Sequence, residues 1–452
     1  MTDPRAADGY NAPKTERIVA DIEAIAGFSE SPPEVGYSRP TFSPPWREAR
    51  DYIIAQAAAA GAEHVVDAAG NVHIRHRDVG WNRRVWLSGS HIDSVPSGGK
   101  YDGVMGIVVP LEILRSNPAL PLEIVIFAEE EGTTFGLGML GSRAWTGAIG
   151  VETLSTIKNR HASTYLEAGA DHGVEEPLLR SAPPADTPPD APGQRATEMG
   201  WRQRLDASRY VGFVEVHAEQ GLHLWDTGRP IAAVNRINGR RQFDLTLAGQ
   251  ANHAGSTGMA GRRDALAGAA QLITALEELG RRLAQELSFT VLTVGSVTVS
   301  PNAVNVIAGT VRLTIDFRAR EEAMLERGEA EIRRLAAAIA GERRLTVSLT
   351  RSEKIAPAPL DEGICDALRR SADEAGAEMP IASSGALHDA AVLAPHLPTA
   401  MVFVASRDGI SHNPAEFSRS EDIALAARVL ARTIAAHPHG IASPTARENG
   451  DG

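Results

Sequence analysis

The stretch SGSHIDSVPSGGKYDG, which begins at Ser88, places one imidazole and two carboxylates on a glycine-rich loop directly after the apolar run RVWL. Proteins bind divalent metal ions through imidazole nitrogens and carboxylate oxygens at about 2.0–2.2 Å, and ligands on loops at strand ends converge without breaking a sheet. His91 and Asp102 fit that requirement, and Asp93 is placed to orient the His91 ring from outside the coordination sphere. Taken alone, the stretch also fits a polar loop with one incidental histidine.

Three further groups of metal-binding side chains follow apolar runs. The run LEIVIFAEEEG ends in the consecutive carboxylates Glu129–Glu131, FVEVHAEQG carries His217, and GISHNPAEF carries His412. A metal ion compensates a buried carboxylate, and a neighbouring carboxylate that is desolvated beside like charge has its pKa raised into the range of a general base. Each group taken singly also fits a solvated acidic edge or an ordinary histidine. Their recurrence at the predicted strand ends of one sheet indicates a metal site.

The elements that must position these side chains alternate between helix and strand. WREARDYIIAQAAAAGA and GIVVPLEILRS have helical spacing, whereas NVHIRHR, RRVWLSG and LEIVIFAEEEG have the character of strands, which predicts an α/β sheet with helices on both faces. From QFDLTLAGQ to LTVSLTRSE the order is βαββαβ, which predicts a ferredoxin-like unit with two helices on one face of a small sheet. We therefore expect a catalytic domain of residues 1–227 and 353–452, interrupted by an inserted domain of residues 228–352.

The composition excludes several classes of function. The chain has 452 residues and a formal net charge of −12, so we expect neither nucleic acid nor an anionic membrane as a partner. Its one cysteine, Cys365, rules out an intrachain disulfide and a thiolate metal cluster. The start has no secretory pattern, and no long apolar run occurs, which predicts a cytoplasmic protein. The Pro- and Ala-rich tract at about 180–195 predicts an exposed loop.

Seven motifs in one order make the chain resemble the amidase, hydantoinase and carbamoylase family of dinuclear metallohydrolases, within the aminoacylase and dipeptidase clan. They are GSHIDSVPSGGKYDG, AEEEGTTFG with LGSRAWTG, EVHAEQG, GQANHAGSTGMAGRRDA, PNAVNVIAG with IDFR, SGALHDA and GISHNPAE. The family includes N-carbamoyl-L-amino acid amidohydrolases, β-ureidopropionases and allantoate amidohydrolases. The resemblance implies a mixed-sheet catalytic domain with an inserted lid and dimerisation domain. It also implies an enzyme that hydrolyses a non-peptide C–N bond of a small carboxylate-bearing substrate, such as a ureido or N-carbamoyl group.

The resemblance also implies a role for each matching residue. His91, Asp102 and His217 would bind one metal ion, and Asp102 would bridge to a second ion held by Glu131 and His412. Hydroxide bridging the two ions would attack, with Glu130 as the general base, while Glu129 falls where the family often has a neutral polar residue. A donor set of histidine and carboxylate suits Zn, Mn, Co and Ni alike.

The residues implied to contact substrate are spread over both predicted domains. His253 would stabilise the oxyanion from the partner subunit, which implies a homodimer, and Arg318 offers a planar fork to the substrate carboxylate. The other implied substrate contacts are Gln220, Asn252, Asn305 and His388.

Three residues depart from the family pattern, and the resemblance implies that they lie beside the substrate rather than beside the metal ions. Thr134 stands where carbamoylases commonly have Arg, Gly258 replaces a Pro, and Leu387 replaces a Gly. We hypothesise a pocket for a more apolar substrate than the common N-carbamoyl amino acids. Two alternatives stay open at this point: an aminoacylase or dipeptidase activity on an ordinary amide, and a non-catalytic binding homologue, which would be expected to have lost Glu130 or a ligand.

Overall fold

The computed structural model describes residues 10–181 and 202–441. Arg236–Pro359 together with Ser383–Leu387 form one compact unit, here called the second unit, and the other described residues form the first unit. The domain limits expected from the sequence, 228 and 352, stay a prediction. From residue 182 on, the predicted Pro- and Ala-rich loop lies outside the described residues.

The first unit holds most of the helices and a large sheet, with elements numbered along the whole chain. Its strands are β1 (Ala62–Val66), β2 (Val72–His76), β3 (Val85–His91), β4 (Leu122–Phe127), β5 (Tyr210–Ala218), β6 (Ile231–Ile237), β14 (Ile381–Ser384) and β15 (Thr399–Val404), of which β6 and β14 end in the second unit. Its helices are α1 (Thr15–Ala26), α2 (Pro44–Ala59), α3 (Met105–Ser116), α4 (Leu140–Thr146), α5 (Val151–Leu154), α6 (Tyr165–Gly169), α7 (Glu176–Ser181), α8 (His223–Thr227), α11 (Glu362–Glu374), α12 (Asp389–Leu393) and α13 (Ser420–Ala436).

The large sheet is mixed, with the strand order β1-β2-β4-β3-β5-β15-β6, and β14 also pairs with β6. Its four central strands, β4, β3, β5 and β15, run parallel to one another. Every residue of these four strands is buried, which explains their near-continuous apolar sequences. Because the carboxyl ends of parallel strands meet at one edge of a sheet, the segments that follow these strands are brought together there.

The second unit contains β7 (Gly239–Ala248), β8 (Asn252–His253), β9 (Val291–Ser300), β10 (Val306–Ile307), β11 (Thr310–Ala319), β12 (Thr346–Ile355), β13 (Ala358–Pro359), α9 (Ala265–Glu286) and α10 (Glu322–Glu342). Four of the strands form an antiparallel sheet of order β12-β7-β11-β9. Alternate residues of β7 and β11 are buried, and their apolar side chains form one core with α9 and α10. The other two short pairs are β8 with β10, and β13 with Arg236 and Ile237 of β6.

These observations confirm the fold class predicted from the sequence. The mixed sheet with its helices matches the expected catalytic architecture, and the order β7-α9-β9-β11-α10-β12 is the expected βαββαβ pattern. No helix within residues 10–181 and 202–441 combines the length and apolar character needed to span a bilayer.

Candidate metal centre

Five residues predicted as metal ligands lie together at the carboxyl edge of the parallel strands. His91 is the last residue of β3, and His217 lies near the end of β5. Glu131 follows β4, and His412 lies on the segment after β15. Asp102 lies on the loop between β3 and α3, so each ligand comes from a strand end or from the turn that follows one.

Asp102 stands between two groups of ligand atoms. Its Oδ1 lies 3.1 Å from Nε2 of His217 and 3.7 Å from Nε2 of His91. Its Oδ2 lies 3.1 Å from Nε2 of His412, which is itself 3.7 Å from Oε2 of Glu131. Within each group, one ligand atom per residue lies within 4.8 Å of the others. A carboxylate shared by two such groups is the arrangement that a dinuclear site requires.

Unpaired buried atoms in these groups fit bound cations. Nε2 of His91 and Oε1 of Glu131 are buried and have no hydrogen-bond partner among the described residues. Nδ1 of His91 lies 2.9 Å from the carbonyl oxygen of Asp93, and Nδ1 of His217 lies 3.0 Å from that of Ala218. These contacts place a proton on Nδ1 of each ring, so Nε2 is the nitrogen that faces Asp102 and that would bind a metal ion after losing any proton it carries.

The site also carries several buried carboxylates whose negative charge bound cations would neutralise. Burial alone would raise the pKa of Asp102, but hydrogen bonds from His217 and His412 bring it well below its usual range. The pKa of Glu130 is raised well above its usual range by burial and then by Glu131 and other nearby carboxylates, and burial and Asp102 raise that of Glu131. Oε2 of Glu130 lies 3.7 Å from Nε2 of His91, at the edge of the first ligand group. The surplus of negative charge is what two divalent cations would neutralise.

Asp93 supports the site in two ways. Its carbonyl oxygen accepts the hydrogen bond from Nδ1 of His91 at 2.9 Å, whereas its carboxylate oxygen Oδ1 lies 3.7 Å from the same nitrogen. The carboxylate instead accepts hydrogen bonds from the amides of Glu130, at 3.3 Å, and Glu131, at 3.1 Å. Asp93 therefore links the loop that carries His91 to the segment that carries Glu130.

Sequence reasoning missed Glu416, which holds the Asp102 loop. Glu416 is 4% exposed, and its Oε2 accepts hydrogen bonds from the amides of Tyr101, at 2.9 Å, and Asp102, at 3.2 Å. Burial raises its pKa to about 7. A Cβ on Gly99 would lie 2.0 Å from Oε2 of Glu416, so the loop needs glycine there. The available signal was the acid in GISHNPAEF, four residues after His412.

Two residues predicted to contact substrate lie beside the metal-binding groups. Nε2 of Gln220 donates to Oδ2 of Asp102 at 2.9 Å. The ring of His388 lies 4.4 Å from that of His217, centroid to centroid, and burial lowers its pKa well below the usual range, so the ring is neutral.

Glu215, His217 and His388 also form a group with metal-binding spacing. Oε1 of Glu215, however, accepts a hydrogen bond from Oγ of Ser90 at 2.7 Å, and Oε2 accepts one from the amide of Ala390 at 3.0 Å. Because both of its oxygens are engaged, we interpret Glu215 as holding the His388 segment rather than as a ligand.

The remaining predicted substrate residues lie in the second unit. Asn252 and His253 form β8, and the amide of Ala254 donates to the carbonyl oxygen of Asn305 at 3.0 Å, so these residues lie together. Nδ1 of His253 accepts from the amides of Gly255, at 3.0 Å, and Ser256, at 3.2 Å. The proton of this exposed ring is therefore on Nε2, which is free to donate.

Arg318 lies near the end of β11. Its Nε donates to Oδ1 of Asp316 at 2.8 Å, and its Nη1 donates to the carbonyl oxygen of Gly385 at 3.0 Å. The roles of all four second-unit residues stay predictions.

The three departures from the family pattern have different surroundings. Thr134 donates its amide to Oε1 of Glu129 at 2.8 Å, and its hydroxyl accepts from the amide of Thr41 at 3.0 Å. A Cβ on Gly258 would meet nothing within 4 Å, so the missing proline leaves an open position. Leu387 is half-buried and belongs to the second unit.

The chain is similar to known proteins over most of its length. The model of Peptidase family M20/M25/M40 matches residues 87–436, and the chain belongs to this family. Among its relatives, an N-carbamoyl-L-amino acid amidohydrolase of Geobacillus stearothermophilus is 35% identical over 89% of this chain and 93% of the relative. An allantoate amidohydrolase of Escherichia coli is 32% identical over 88% of this chain and 92% of the relative.

A solved structure gives the same result. The amidase of the hydantoinase/carbamoylase family from Burkholderia multivorans superposes with a TM-score of 0.81 and 31% identity, over 95% of this chain and 99% of that one. The family predicted from the motifs is therefore confirmed. Both sequence relatives are amidohydrolases, which is the class of enzyme that the sequence predicts for this chain.

Proposed function

We propose that this chain is a metal-dependent amidohydrolase that cleaves the C–N bond of a ureido group in a small carboxylate-bearing substrate. The observation that carries the proposal is the position of Asp102, whose two oxygens each face a separate ligand group, with Glu130 beside the first. The names of the relatives support the ureido group, because N-carbamoyl amino acids and allantoate both contain it.

The residues that the sequence predicts to act in catalysis divide the work of hydrolysis. Two divalent cations bound there would lower the pKa of water and polarise the substrate carbonyl. Glu130 accepts the proton of the attacking water and passes it to the leaving nitrogen, a pair of steps that one carboxyl group can serve. Nε2 of His253, which carries a proton, donates a hydrogen bond to the tetrahedral oxyanion. The guanidinium of Arg318 binds the substrate carboxylate.

Two finer points belong to the same proposal. The cations are two per subunit, drawn from Zn, Mn, Co and Ni, because histidine nitrogens and carboxylate oxygens suit all four. The enzyme is a cytoplasmic homodimer in which His253 serves the site of the partner subunit. Mixing inactive His253→Ala and Glu130→Gln protomers tests the shared site: recovered activity supports it, and verified heterodimers without recovery overturn it.

The test of the reaction is a substrate screen with ammonia detection. Protein reconstituted with each metal is assayed against ureido acids, allantoate and acyl amino acids, with Glu130→Gln as the matched inactive variant. Ammonia release from a ureido acid or allantoate, lost in Glu130→Gln, supports the proposal. Cleavage of acyl amino acids alone, without ammonia, would instead identify an aminoacylase or dipeptidase, and binding without turnover would identify a non-catalytic homologue.

A further inference from the structure

The segment that carries Glu130 and Glu131 is held along one side by backbone pairing. Residues 128–130 pair with residues 139–141 through three hydrogen bonds of 2.8–2.9 Å, donated by the amides of the later segment. The pairing begins directly after the last residue of β4, Phe127. The position of both carboxylates therefore depends on how this pair of segments is fixed to the sheet.

The side chain of Asn71 bridges the two segments at that point. Asn71 is fully buried, and its Oδ1 accepts a hydrogen bond from the amide of Ala128 at 3.1 Å. Its Nδ2 donates to the carbonyl oxygen of Gly141 at 3.0 Å and to Oδ2 of Asp67 at 2.8 Å. A Cβ on Gly141 would lie 2.0 Å from Oδ1 of Asn71, so glycine is what lets the segments approach this closely.

Asn71 is itself anchored in a buried polar network. Oδ1 of Asp67 accepts hydrogen bonds from the amides of Ala69 and Asn71, both at 2.9 Å. Oδ2 of Asp67 lies 3.2 Å from Nε2 of His73, whose Nδ1 lies 2.8 Å from Oε1 of Glu123. Because these side chains are fully buried and fixed by several partners, Asn71 offers a rigid attachment point.

We propose that Asn71 is a positioning residue, which fixes the segment of Glu130 and Glu131 at the distance from Asp102 that metal binding and proton transfer require. The enzymatic part of this inference rests on the proposed function. Without Asn71, the amide of Ala128 and the carbonyl of Gly141 lose a buried partner, and the end of β4 is free to move. Losing such a supporting contact typically lowers metal affinity or activity by about 10- to 100-fold.

Four variants test the proposal. Asn71→Asp keeps an acceptor for the Ala128 amide but removes the donor to Gly141 and to Asp67. Asn71→Ser shortens the side chain, so that it no longer reaches Ala128 or Gly141. In Asp67→Asn/Asn71→Asp the exchanged groups can still bond to each other and to the Ala128 amide, whereas the Gly141 carbonyl loses its donor and Nε2 of His73 loses its Asp67 acceptor. Asn117→Asp is the matched control, because the Asn117 side chain also bridges two segments, through the amide and carbonyl of Asn11.

Three measurements are made on each variant: hydrogen exchange of the 128–131 segment in metal-free protein, Zn²⁺ affinity by chelator competition, and kcat and KM. For Asn71→Asp and Asn71→Ser we expect faster exchange, affinity for the weaker-bound ion lower by about 10-fold or more, and a fall in kcat with little change in KM. The double variant is expected to recover part of each loss, and Asn117→Asp to keep all three properties of the parent.

The outcomes separate this proposal from the function proposed above. Parent-like exchange and Zn²⁺ affinity in whichever single Asn71 variant folds would overturn the positioning role. Equal losses in Asn117→Asp would also overturn it, because they would reveal a general loss of stability. If the parent hydrolyses no ureido acid, the proposed function fails, while the exchange and Zn²⁺ measurements still decide the role of Asn71.

Discussion

The buried imidazole of His73 is expected to make the first unit less stable as the pH rises. Burial alone would lower the pKa of His73, but hydrogen bonds to Asp67 and Glu123 outweigh it and raise the pKa from 6.5 to about 8. Since one pKa unit corresponds to about 1.4 kcal/mol, the protonated ring adds about 2 kcal/mol to the free energy of unfolding. A raised pKa in the folded state means that this stability is fully present below 6.5 and is lost as the pH rises through 8.

The assay compares the parent with His73→Gln by urea unfolding between about pH 6 and about pH 9. Tryptophan fluorescence follows the first unit selectively, because all six tryptophans lie between residues 46 and 225. The parent should lose about 2 kcal/mol more than the variant over this range, since neighbouring acids titrate in both proteins. An equal loss in the two proteins would show that folding does not raise the pKa of His73 and would refute the reasoning.

Three further predictions concern the metal centre and the substrate. Glu416→Ala leaves two buried amides without an acceptor, so it is expected to lower the free energy of urea unfolding by about 2–5 kcal/mol and to weaken Zn²⁺ binding. Glu416→Gln should keep most of the stability and most of the Zn²⁺ affinity. Parent-like Zn²⁺ affinity in Glu416→Ala would contradict the role of Glu416. Removing divalent ions with a chelator should abolish hydrolysis. It should also lower the free energy of unfolding by about 2.7 kcal/mol for each site that the ion fills at 100 times its Kd, and unchanged unfolding curves would count against the site. Leu387→Gly should reduce the preference for hydrophobic over polar ureido acids, measured as a ratio of kcat/KM, and equal turnover of the whole panel by variant and parent would refute the apolar-pocket hypothesis.

Much of the metal centre could be predicted because its ligands follow strands that the sequence marks clearly. His91 and Glu131 each come a few residues after a mainly apolar run, and parallel strands bring such ends to a common edge. The supporting residues could not be found this way. Asn71 contacts Gly141, and Glu416 contacts Tyr101, across long stretches of sequence. Their roles appear only once the sheet order β2-β4-β3-β5-β15 is known, because Asn71 precedes β2 and Glu416 follows β15.

The three consecutive glutamates show what the structure adds to a motif. Residue type alone does not distinguish Glu129, Glu130 and Glu131, which the family resemblance separates into different roles, and their environments in the structure differ. Glu129 is fully buried and its Oε1 accepts from the amides of Thr134 and Phe135, both at 2.8 Å. Glu129 and Glu131 each leave one oxygen buried without a hydrogen-bond partner among the described residues, Oε2 in Glu129 and Oε1 in Glu131. The difference is that Glu131 faces a histidine of the site, with its Oε2 3.7 Å from Nε2 of His412.

The same distinction applies to the other acids around the site. Asp93 and Glu416, like Glu129, each accept two backbone amides, which offset part of the cost of a buried charge without a cation. Asp102 is instead shared by histidines, and Glu131 faces His412. We infer that acids of the first kind, which accept two backbone amides, shape the loops, whereas Asp102 and Glu131, which face histidines, supply the ligands. Replacing a carboxylate of the first kind by its amide should therefore perturb metal binding less than the same change at Asp102 or Glu131.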